Sequence, residues 1–519
     1  MTQKSNPKDV TTARVAGRGG MAVLTAKVFF IVSGLIQQTL LPRILGLDGY
    51  GALARVFAIA NIANNVVVSS SIQGVSRSVA KTPESQVRQT IRRMLKVHVA
   101  IALPVALAFL FFAPVYARFQ GAPHIVGPLR VVSIVVLFYG LYAPVVGALN
   151  GQRKFGWQAS LDIVYAVLRT VGLLGLGWLF ARGDRGVFGA CVGFAAAAVL
   201  IFPVALGITG TGKAGVGGPS VREHLLFIAP VALGQVFLQL LMQSDISLLG
   251  HFASKLVVAQ GLAGEVATQA ADKIVGVYRG CQLFAFLPYQ LLITLTFIMF
   301  PMLAKAKANE DKQAVAQYVR AGMRLAYVFA CLLTSTVSAV GPQLLYLMFS
   351  PEMGDRGGDT LRVLALGQGA FAIFYIETTV LTSLGRERLS AMLTGLAAAM
   401  IIALCAVVGS GASTSEALLF RTGLATSAAL VISATAGAVA VYRTARAYVS
   451  ALTLARVITT AAAVTVAGVF VPYMGKLWVV PVACATGLGA LLLLVVLGEV
   501  GKADWQTLRD VVRKKSGAG

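Results

Sequence analysis

The chain has 519 residues, of which 57% are hydrophobic and only 12% are charged. An ordinary soluble domain carries about twice that charged fraction, so the chain has too few polar side chains to cover a water-soluble globule. The formal net charge of +24 would suit nucleic acid, but the basic residues lie in short clusters between apolar stretches and not on one amphipathic face. Composition therefore argues against a soluble domain and against a nucleic-acid partner, and it favours an all-α polytopic membrane protein.

Apolar runs long enough to cross a bilayer recur along the whole chain. A hydrocarbon core of about 30 Å needs roughly 20 apolar residues per helix, and charged, Gly, Pro or Asn residues mark the ends of each run. About fourteen transmembrane helices are predicted on this basis. They lie at 21–45, 50–76, 97–116, 127–149, 157–180, 187–208, 224–250, 275–302, 321–349, 360–384, 389–408, 417–441, 452–473 and 477–500.

The basic residues are distributed unevenly over the predicted loops. If the N-terminus is cytoplasmic, most of the 44 Lys and Arg residues fall on the cytoplasmic side, including the cluster at 88–96 and the pair Lys514 and Lys515. The positive-inside rule then predicts that both termini are cytoplasmic. An even number of spans follows from that orientation.

The two halves of the chain show a weak internal repeat. The junction GALNGQRKF at 147–155 resembles TSLGRERL at 382–389, and Arg55 and Arg279 lie early in the second and eighth spans, each after a glycine. This register predicts two six-helix lobes related by a parallel repeat. The expected organisation is a cytoplasmic tail at 1–20, an N-lobe at 21–208, a cytoplasmic linker at 209–223, a C-lobe at 224–441, two further spans at 442–500 and a cytoplasmic tail at 501–519.

Several ionisable residues fall inside the predicted spans, where they are expensive and indicate a polar cavity or pathway unless they reach the headgroups. Arg362 and Arg421 lie near helix ends, and we interpret them as side chains that extend to the membrane surface. Arg55, Asp245 and Arg279 lie toward the outer end of their spans. Both interpretations stay open for these three residues.

Four ionisable residues lie deeper, more than a helical turn from the predicted ends of their spans: Lys27, Asp162, Arg169 and Glu377. We expect these side chains to face a cavity. The alternative is structural ion pairing, because Asp162 and Arg169 are seven residues apart and share one helical face, although about 10 Å separates them along the axis.

Uncharged amides form two further stripes. Asn61, Asn64 and Asn65 share a face of the second span, and Gln235, Gln239 and Gln243 recur at helical spacing in the seventh. Interhelical hydrogen bonding is one explanation. The other is a cavity lined by cations and amides, which would suit a substrate with phosphate and many hydroxyls, since Arg and Lys neutralise phosphate and amides bind sugars. An apolar drug or a cation would not need the excess of positive charge.

No common catalytic or cofactor motif is present. The sequence lacks G-x-x-x-x-G-K-[ST] and G-x-S-x-G, and its four histidines and five cysteines show no metal-ligand spacing. We therefore expect no metal and no cofactor. An enzyme is the weaker class, although membrane polymerases and glycosyltransferases can carry their chemistry in loops.

Short motifs resemble those of polysaccharide flippases in the multidrug/oligosaccharidyl-lipid/polysaccharide superfamily. The segment LPRILGLDGYG at 41–51 is similar to a pattern that follows their first helix. Gly276-Val-Tyr-Arg279, the Phe-Leu-Pro at 286–288 and the segment MFPMLA at 299–304 resemble their eighth helix, and the junctions at Gly151 and Gly385 resemble their Gly-Arg turns.

The resemblance implies a MATE-like V-shaped fold of two six-helix lobes plus two C-terminal helices, in the bacterial cytoplasmic (inner) membrane. It implies outward movement of lipid-linked oligosaccharide by alternating access, with proton or sodium coupling and with polysaccharide polymerase and other assembly proteins as partners. The position that aligns with Gln37 is usually arginine in peptidoglycan-precursor flippases. This difference favours capsular, exopolysaccharide or O-antigen units as the cargo.

The flippase hypothesis assigns a role to each candidate residue. Pyrophosphate would be bound by Lys27, Arg55, Arg169 and Arg279. The sugar would face Asn61, Asn65, Gln235 and Gln239, and ion coupling would involve Asp162 or Glu377. The alternatives are a cation-coupled multidrug exporter of the same superfamily and a membrane-embedded polysaccharide polymerase or glycosyltransferase.

Overall fold

The computed structural model describes residues 7–183, 185–210 and 218–501, and these ranges contain helices and no β-strand. The helices are α1 (Pro7–Ala80), α2 (Val87–Phe119), α3 (Val126–Gly151), α4 (Phe155–Ala181), α5 (Gly186–Thr209), α6 (Val221–Ala259), α7 (Gly264–Ala285), α8 (Leu287–Ala308), α9 (Lys312–Ala339), α10 (Gly341–Met348), α11 (Pro351–Ser383), α12 (Glu387–Ser410), α13 (Ser415–Ala445), α14 (Ala451–Val469) and α15 (Lys476–Val496). The predicted all-α class is confirmed.

Thirteen helical segments in the described ranges are long and apolar enough to cross a membrane. The first, Thr25–Ala80, has 56 residues, which is more than twice the roughly 20 residues that one crossing needs. Gly46 breaks it at φ 74° and ψ 170°, a left-handed conformation that glycine adopts without strain. The break lies between the first two predicted spans, so α1 accommodates both.

The structure differs from the predicted spans at two places. The predicted span 321–349 is divided, because α9 ends at Ala339 and the short α10 begins at Gly341, with Pro342 in its first turn. The predicted span 275–302 is divided near Phe286, where α8 begins with Pro288 in its first turn. Proline lacks the N–H that would continue the preceding helix, so a new helix starts there.

Parts of the predicted tails and linker lie outside the described residues, namely 1–6, 211–217 and 502–519. The described part of the N-terminal segment is helical from Pro7, within the predicted tail. The lobe boundaries stay a prediction.

The chain forms two compact units, Met1–Gly276 and Val277–Gly519. In the first unit, α4 and α5 pack against each other through glycines. A Cβ added to Gly193 would lie 1.9 Å from the carbonyl oxygen of Gly172, and one added to Gly172 would lie 2.4 Å from that of Gly193. Small residues permit such close approach of helices in membranes, where van der Waals packing drives association.

The second unit is centred on α11, which packs against α9 and α13. The last two helices, α14 and α15, pack against α9. Just after α15, Glu499 lies between two arginines, with Arg324 Nε at 2.9 Å and Arg456 Nη1 at 3.3 Å from its carboxylate oxygens. This ion cluster fastens the end of the helical region to α9 and α14.

Candidate substrate and coupling sites

The first unit contains a polar cluster where α1 meets α4. Lys27 Nζ on α1 lies 3.9 Å from Asp162 Oδ2 on α4. The Lys27 side chain is 60% exposed and that of Asp162 is 18% exposed, and Asp162 Oδ2 is buried without a hydrogen bond. Further along the same two helices, Gln37 Nε2 on α1 donates to Thr170 Oγ1 on α4 at 2.8 Å. The structure thus brings together the predicted Lys27 and Asp162.

Arg169 lies on the same helix as Asp162 and is half-buried. Its guanidinium carbon is 4.8 Å from the ring centre of Phe194 and 5.9 Å from that of Phe30. Its Nε atom is buried and has no hydrogen-bond partner. Stacking on aromatic rings holds a guanidinium in place without using its N–H donors. Arg169 therefore keeps a donor available for an anionic ligand.

Three tyrosines pack next to this cluster. Tyr139 meets Tyr165 at a ring-centre distance of 4.9 Å and Tyr142 at 5.8 Å. The Tyr142 hydroxyl is buried without a hydrogen-bond partner. Buried polar atoms are normally hydrogen-bonded, so the unused atoms of Asp162, Arg169 and Tyr142 together mark a place where a polar ligand could bind.

The two amide stripes meet within the first unit. Asn65 Nδ2 on α1 donates to Gln239 Oε1 on α6 at 3.0 Å. Asn61 and Gln235 lie one turn away on the same two helices and are half-buried. Asn64 Oδ1 is buried and accepts no hydrogen bond. The structure therefore joins two of the four predicted sugar-binding amides directly, and unused amide capacity remains beside them.

Arg55 is held by partners within the protein. It is 1% exposed, its Nε lies 2.8 Å from Asp272 Oδ1, and one terminal nitrogen donates to Gln120 O at 2.8 Å and to Ser254 Oγ at 3.1 Å. His124 Nε2 lies 2.8 Å from the second oxygen of Asp272. These are the contacts of a structural ion pair. A role for Arg55 toward substrate would require these contacts to open.

A cavity of about 440 Å³ lies beside this ion pair. Ser254, which binds Arg55, is part of its wall, together with the basic side chains Arg118, His251 and Lys255. The lining would suit an anionic group.

The predicted residues of the second unit lie on different helices. Arg279 on α7 is half-buried and donates to Gln282 Oε1 at 3.1 Å. Glu377 on α11 is 0% exposed and accepts a hydrogen bond from the hydroxyl of Tyr448. The Tyr448 hydroxyl lies 2.9 Å from that of Tyr327. The Glu377 carboxyl group and the hydroxyls of Tyr448 and Tyr327 thus form one hydrogen-bonded chain.

The second oxygen of Glu377 is buried and unbonded. A Cβ at Gly437 would lie 2.2 Å from it, so glycine makes the space that the carboxyl group occupies. No ion pair to Glu377 is found among the described residues. Burial of an unpaired charge is costly, and a carboxyl group in this position is suited to exchange a proton or to take up a cation.

Sequence reasoning also missed a buried pair of histidines. His98 Nε2 on α2 lies 3.1 Å from His224 Nε2 on α6, although the sequence shows no spacing that links the histidines. The two residues are 126 positions apart, so no spacing rule could have paired them. The one available signal was that both begin spans on the side predicted to be cytoplasmic.

The fold, with charged and amide side chains inside its apolar helices, is that of a polytopic α-helical membrane protein. The solved structure of "Lipid II flippase MurJ, inward closed conformation" has a TM-score of 0.72 at 14% identity, covering 95% of this chain and 100% of that one. The inward-facing structure of a multidrug resistance MATE family transporter of the MOP superfamily has a TM-score of 0.63 at 12% identity, covering 82% and 99%.

A third similar structure, a MOP superfamily transporter from Pyrococcus furiosus, has a TM-score of 0.56 at 14% identity and covers 81% of this chain and 95% of that one. At these identities the likeness shows the fold. Residues 16–307, more than half of the chain, match the model of the family described as "Polysaccharide biosynthesis protein", and the chain belongs to this family. No curated protein sequence matches the chain.

Proposed function

We propose that the protein is a flippase that moves a lipid-linked oligosaccharide, a polysaccharide repeat unit on a polyprenyl pyrophosphate carrier, across the bacterial cytoplasmic membrane by alternating access. The product would enter surface polysaccharide biosynthesis, handed to a polymerase and other assembly proteins. The observation that carries the proposal is Arg169, which is held by aromatic stacking with a buried, unbonded N–H, in a chain of the polysaccharide biosynthesis family.

The chemistry of the first polar cluster supports a pyrophosphate ligand. Arg169 and Lys27 supply positive charge, and charge-assisted hydrogen bonds to phosphate are among the stronger ones in proteins. Asp162 offsets one of these charges while the site is empty. An incoming pyrophosphate would compete with Asp162 for Lys27, which would leave that carboxylate free to take a proton or a sodium ion.

The sugar portion needs donors and acceptors rather than charge. Asn65 and Gln239 bind each other across α1 and α6, and Asn61 and Gln235 extend the same faces by one turn. In membranes such amide pairs also stabilise helix packing. If the Asn65–Gln239 hydrogen bond were exchanged for bonds to sugar hydroxyls, each of the two amides would keep a partner. Substrate entry would then leave no buried amide unpaired at this pair.

The proposal includes two lobes at 21–208 and 224–441, with both termini cytoplasmic. Arg55 and Arg279 belong to the proposed phosphate path, and Asp162 and Glu377 to ion coupling. Arg55 would contribute only in a conformation in which its ion pair with Asp272 is open.

A second candidate is a cation-coupled multidrug exporter. The observation that favours it is Glu377, a buried carboxyl group without a cationic partner among the described residues, in a fold shared with a MATE transporter. The phosphate-binding chemistry around Arg169 has no role in that function.

Reconstitution tests the proposal. In proteoliposomes with a fluorescent lipid-linked oligosaccharide in both leaflets, the wild-type protein is expected to make the inner-leaflet pool accessible to a membrane-impermeant quencher. A polyprenyl monophosphate without sugar should move more slowly, because the amide contacts are lost. Equal rates with and without protein, at verified insertion, would contradict the flippase assignment.

A further inference from the structure

Four side chains from three helices form a continuous hydrogen-bonded chain in the first unit. Ser71 Oγ lies 3.0 Å from His98 Nδ1, His98 Nε2 lies 3.1 Å from His224 Nε2, and His224 Nδ1 lies 2.9 Å from Ser78 Oγ. Both serines belong to α1, His98 to α2 and His224 to α6. All four imidazole nitrogens therefore have a partner. Both histidines are buried, at 1% and 2% exposed.

The surrounding packing is built around this pair. The imidazole rings meet edge to face, with centres 5.3 Å apart and planes at 87°. On α1, a Cβ at Gly74 would lie 3.0 Å from His224 Cε1 and 2.2 Å from Ile228 Cγ2. Glycine at this position leaves room for the side chains of Ile228 and His224, so that α6 packs closely against α1.

Hydrogen-bond inventory fixes how many protons the chain can hold. A neutral imidazole has one N–H donor and one bare nitrogen acceptor. In the neutral pair one Nε2 donates to the other, so the donating ring accepts from its serine at Nδ1 and the other ring donates to its serine. Every ring nitrogen is satisfied, and the mirror arrangement is equally complete.

One additional proton can be added without the loss of a bond. If His98 becomes cationic, its Nε2–H still donates to His224 and its Nδ1–H now donates to Ser71, whose hydroxyl oxygen can accept. A second additional proton cannot be accommodated. Both Nε2 atoms would then carry hydrogens that face each other at 3.1 Å, and two like charges would lie side by side.

Charged groups lie close in sequence to these side chains on all three helices. Arg77 on α1 lies over the Phe227 ring at 4.2 Å, and Lys81 Nζ on α1 pairs with Glu223 Oε1 on α6 at 2.9 Å. Arg93 on α2 donates to the carbonyl of Gly218. Cations outnumber the single carboxylate, so the surroundings further oppose a second proton.

We propose that the His98–His224 pair is a binding site for a single proton and that its occupancy is coupled to the packing of α6 against α1 and α2. The bonds that hold the proton come from three helices, so the site is complete only while these helices are in contact. A ligand that binds one arrangement better than another shifts the population toward it. The use of this proton to drive export rests on the proposed function, whereas proton binding does not.

A titration tests the proton-binding step. The chain has only four histidines, so ¹⁵N-histidine NMR of the full-length protein in lipid bilayers yields few imidazole signals, which His98→Gln, His224→Gln and the control His251→Gln assign. Between about pH 8 and about pH 5, where histidine charge changes, the signals of His98 and His224 should change together in one step, with one proton taken up. Two separate one-proton steps, or no change in either signal, would overturn the proposal.

A distance measurement tests the coupling in the absence of any substrate. Spin labels at the exposed positions Lys96 on α2 and Arg222 on α6, in a background in which the exposed Cys484 is replaced by serine, report the separation of the two helices. The distance distribution should change over the same pH step in the otherwise native protein and in His251→Gln, and not in the double variant His98→Gln/His224→Gln. A distribution insensitive to pH, or an equal response in the double variant, would refute the coupling.

Discussion

Substitution of Arg169 by glutamine is expected to lower flipping of the lipid-linked substrate by roughly 10- to 100-fold, the equivalent of a lost charged hydrogen bond of about 1.5–3 kcal/mol. The reason is that Arg169 carries a buried donor with no partner in the protein. Arg169→Lys keeps the charge but loses stacking on Phe194. Its flipping rate should therefore lie between those of the wild type and Arg169→Gln. Addition of Arg279→Gln to Arg169→Gln should abolish transport. Quencher accessibility in proteoliposomes provides the measurement.

A matched control for this variant is Arg421→Gln. Arg421 is also an arginine of a predicted span, but it is exposed and donates to the carbonyl of Gly411 at 2.7 Å. It should transport at nearly the wild-type rate. Normal transport by Arg169→Gln, at an unchanged membrane level, would remove the cation argument for a phosphate-bearing substrate.

Substitution of Glu377 by glutamine is expected to abolish transport driven by an ion gradient, because an amide keeps the shape of the carboxyl group but cannot carry a proton or bind a cation by charge. The variant should be at least as thermally stable as the wild type, since burial of an unpaired carboxylate costs more free energy than burial of a neutral amide. Gradient-driven uptake and the thermal unfolding midpoint are measured on the same preparation. Tyr327→Phe, which leaves the direct donor Tyr448 in place, is the matched control.

The two readouts separate coupling from folding. Retained gradient-driven uptake in Glu377→Gln would exclude Glu377 as the coupling group and leave Asp162 as the remaining carboxyl candidate. A fall in both uptake and the unfolding midpoint would instead indicate a structural role. Gly437→Ala gives a further comparison, because its Cβ would lie only 2.2 Å from the same carboxylate oxygen, so that the carboxyl group must shift.

The sequence was sufficient to predict the helical class and most spans, because a bilayer imposes a minimum apolar length on every crossing helix. Gly46 also acts locally, because it breaks α1 between the first two predicted spans. The divisions of 275–302 near Phe286 and of 321–349 into α9 and α10 were missed, because the apolar composition continues through Pro288 and Pro342, which lie in the first turns of the new helices.

The polar sites were harder to predict, because they depend on which helix faces meet. Asn65 and Gln239 are 174 residues apart, and the sequence could place each on a polar face but could not pair them. Lys27 and Asp162 were each predicted to face a cavity. Because they lie on different helices, the sequence could not show that they pair with each other. For Arg55, the sequence left open whether the side chain reaches the headgroups or faces a polar cavity. Its buried partner Asp272 was not recognised, since it lies just before a predicted span.

Deletion of the gene tests whether the protein exports a lipid-linked oligosaccharide. Surface polysaccharide and lipid-linked intermediates are then followed together, with the wild-type gene and the Arg169→Gln variant as complementing alleles. We expect the loss of one surface polymer, with its lipid-linked repeat unit trapped on the cytoplasmic face, and rescue by the wild-type gene only. Intact surface polysaccharide together with new sensitivity to drugs would exclude the flippase function and would identify the multidrug exporter instead.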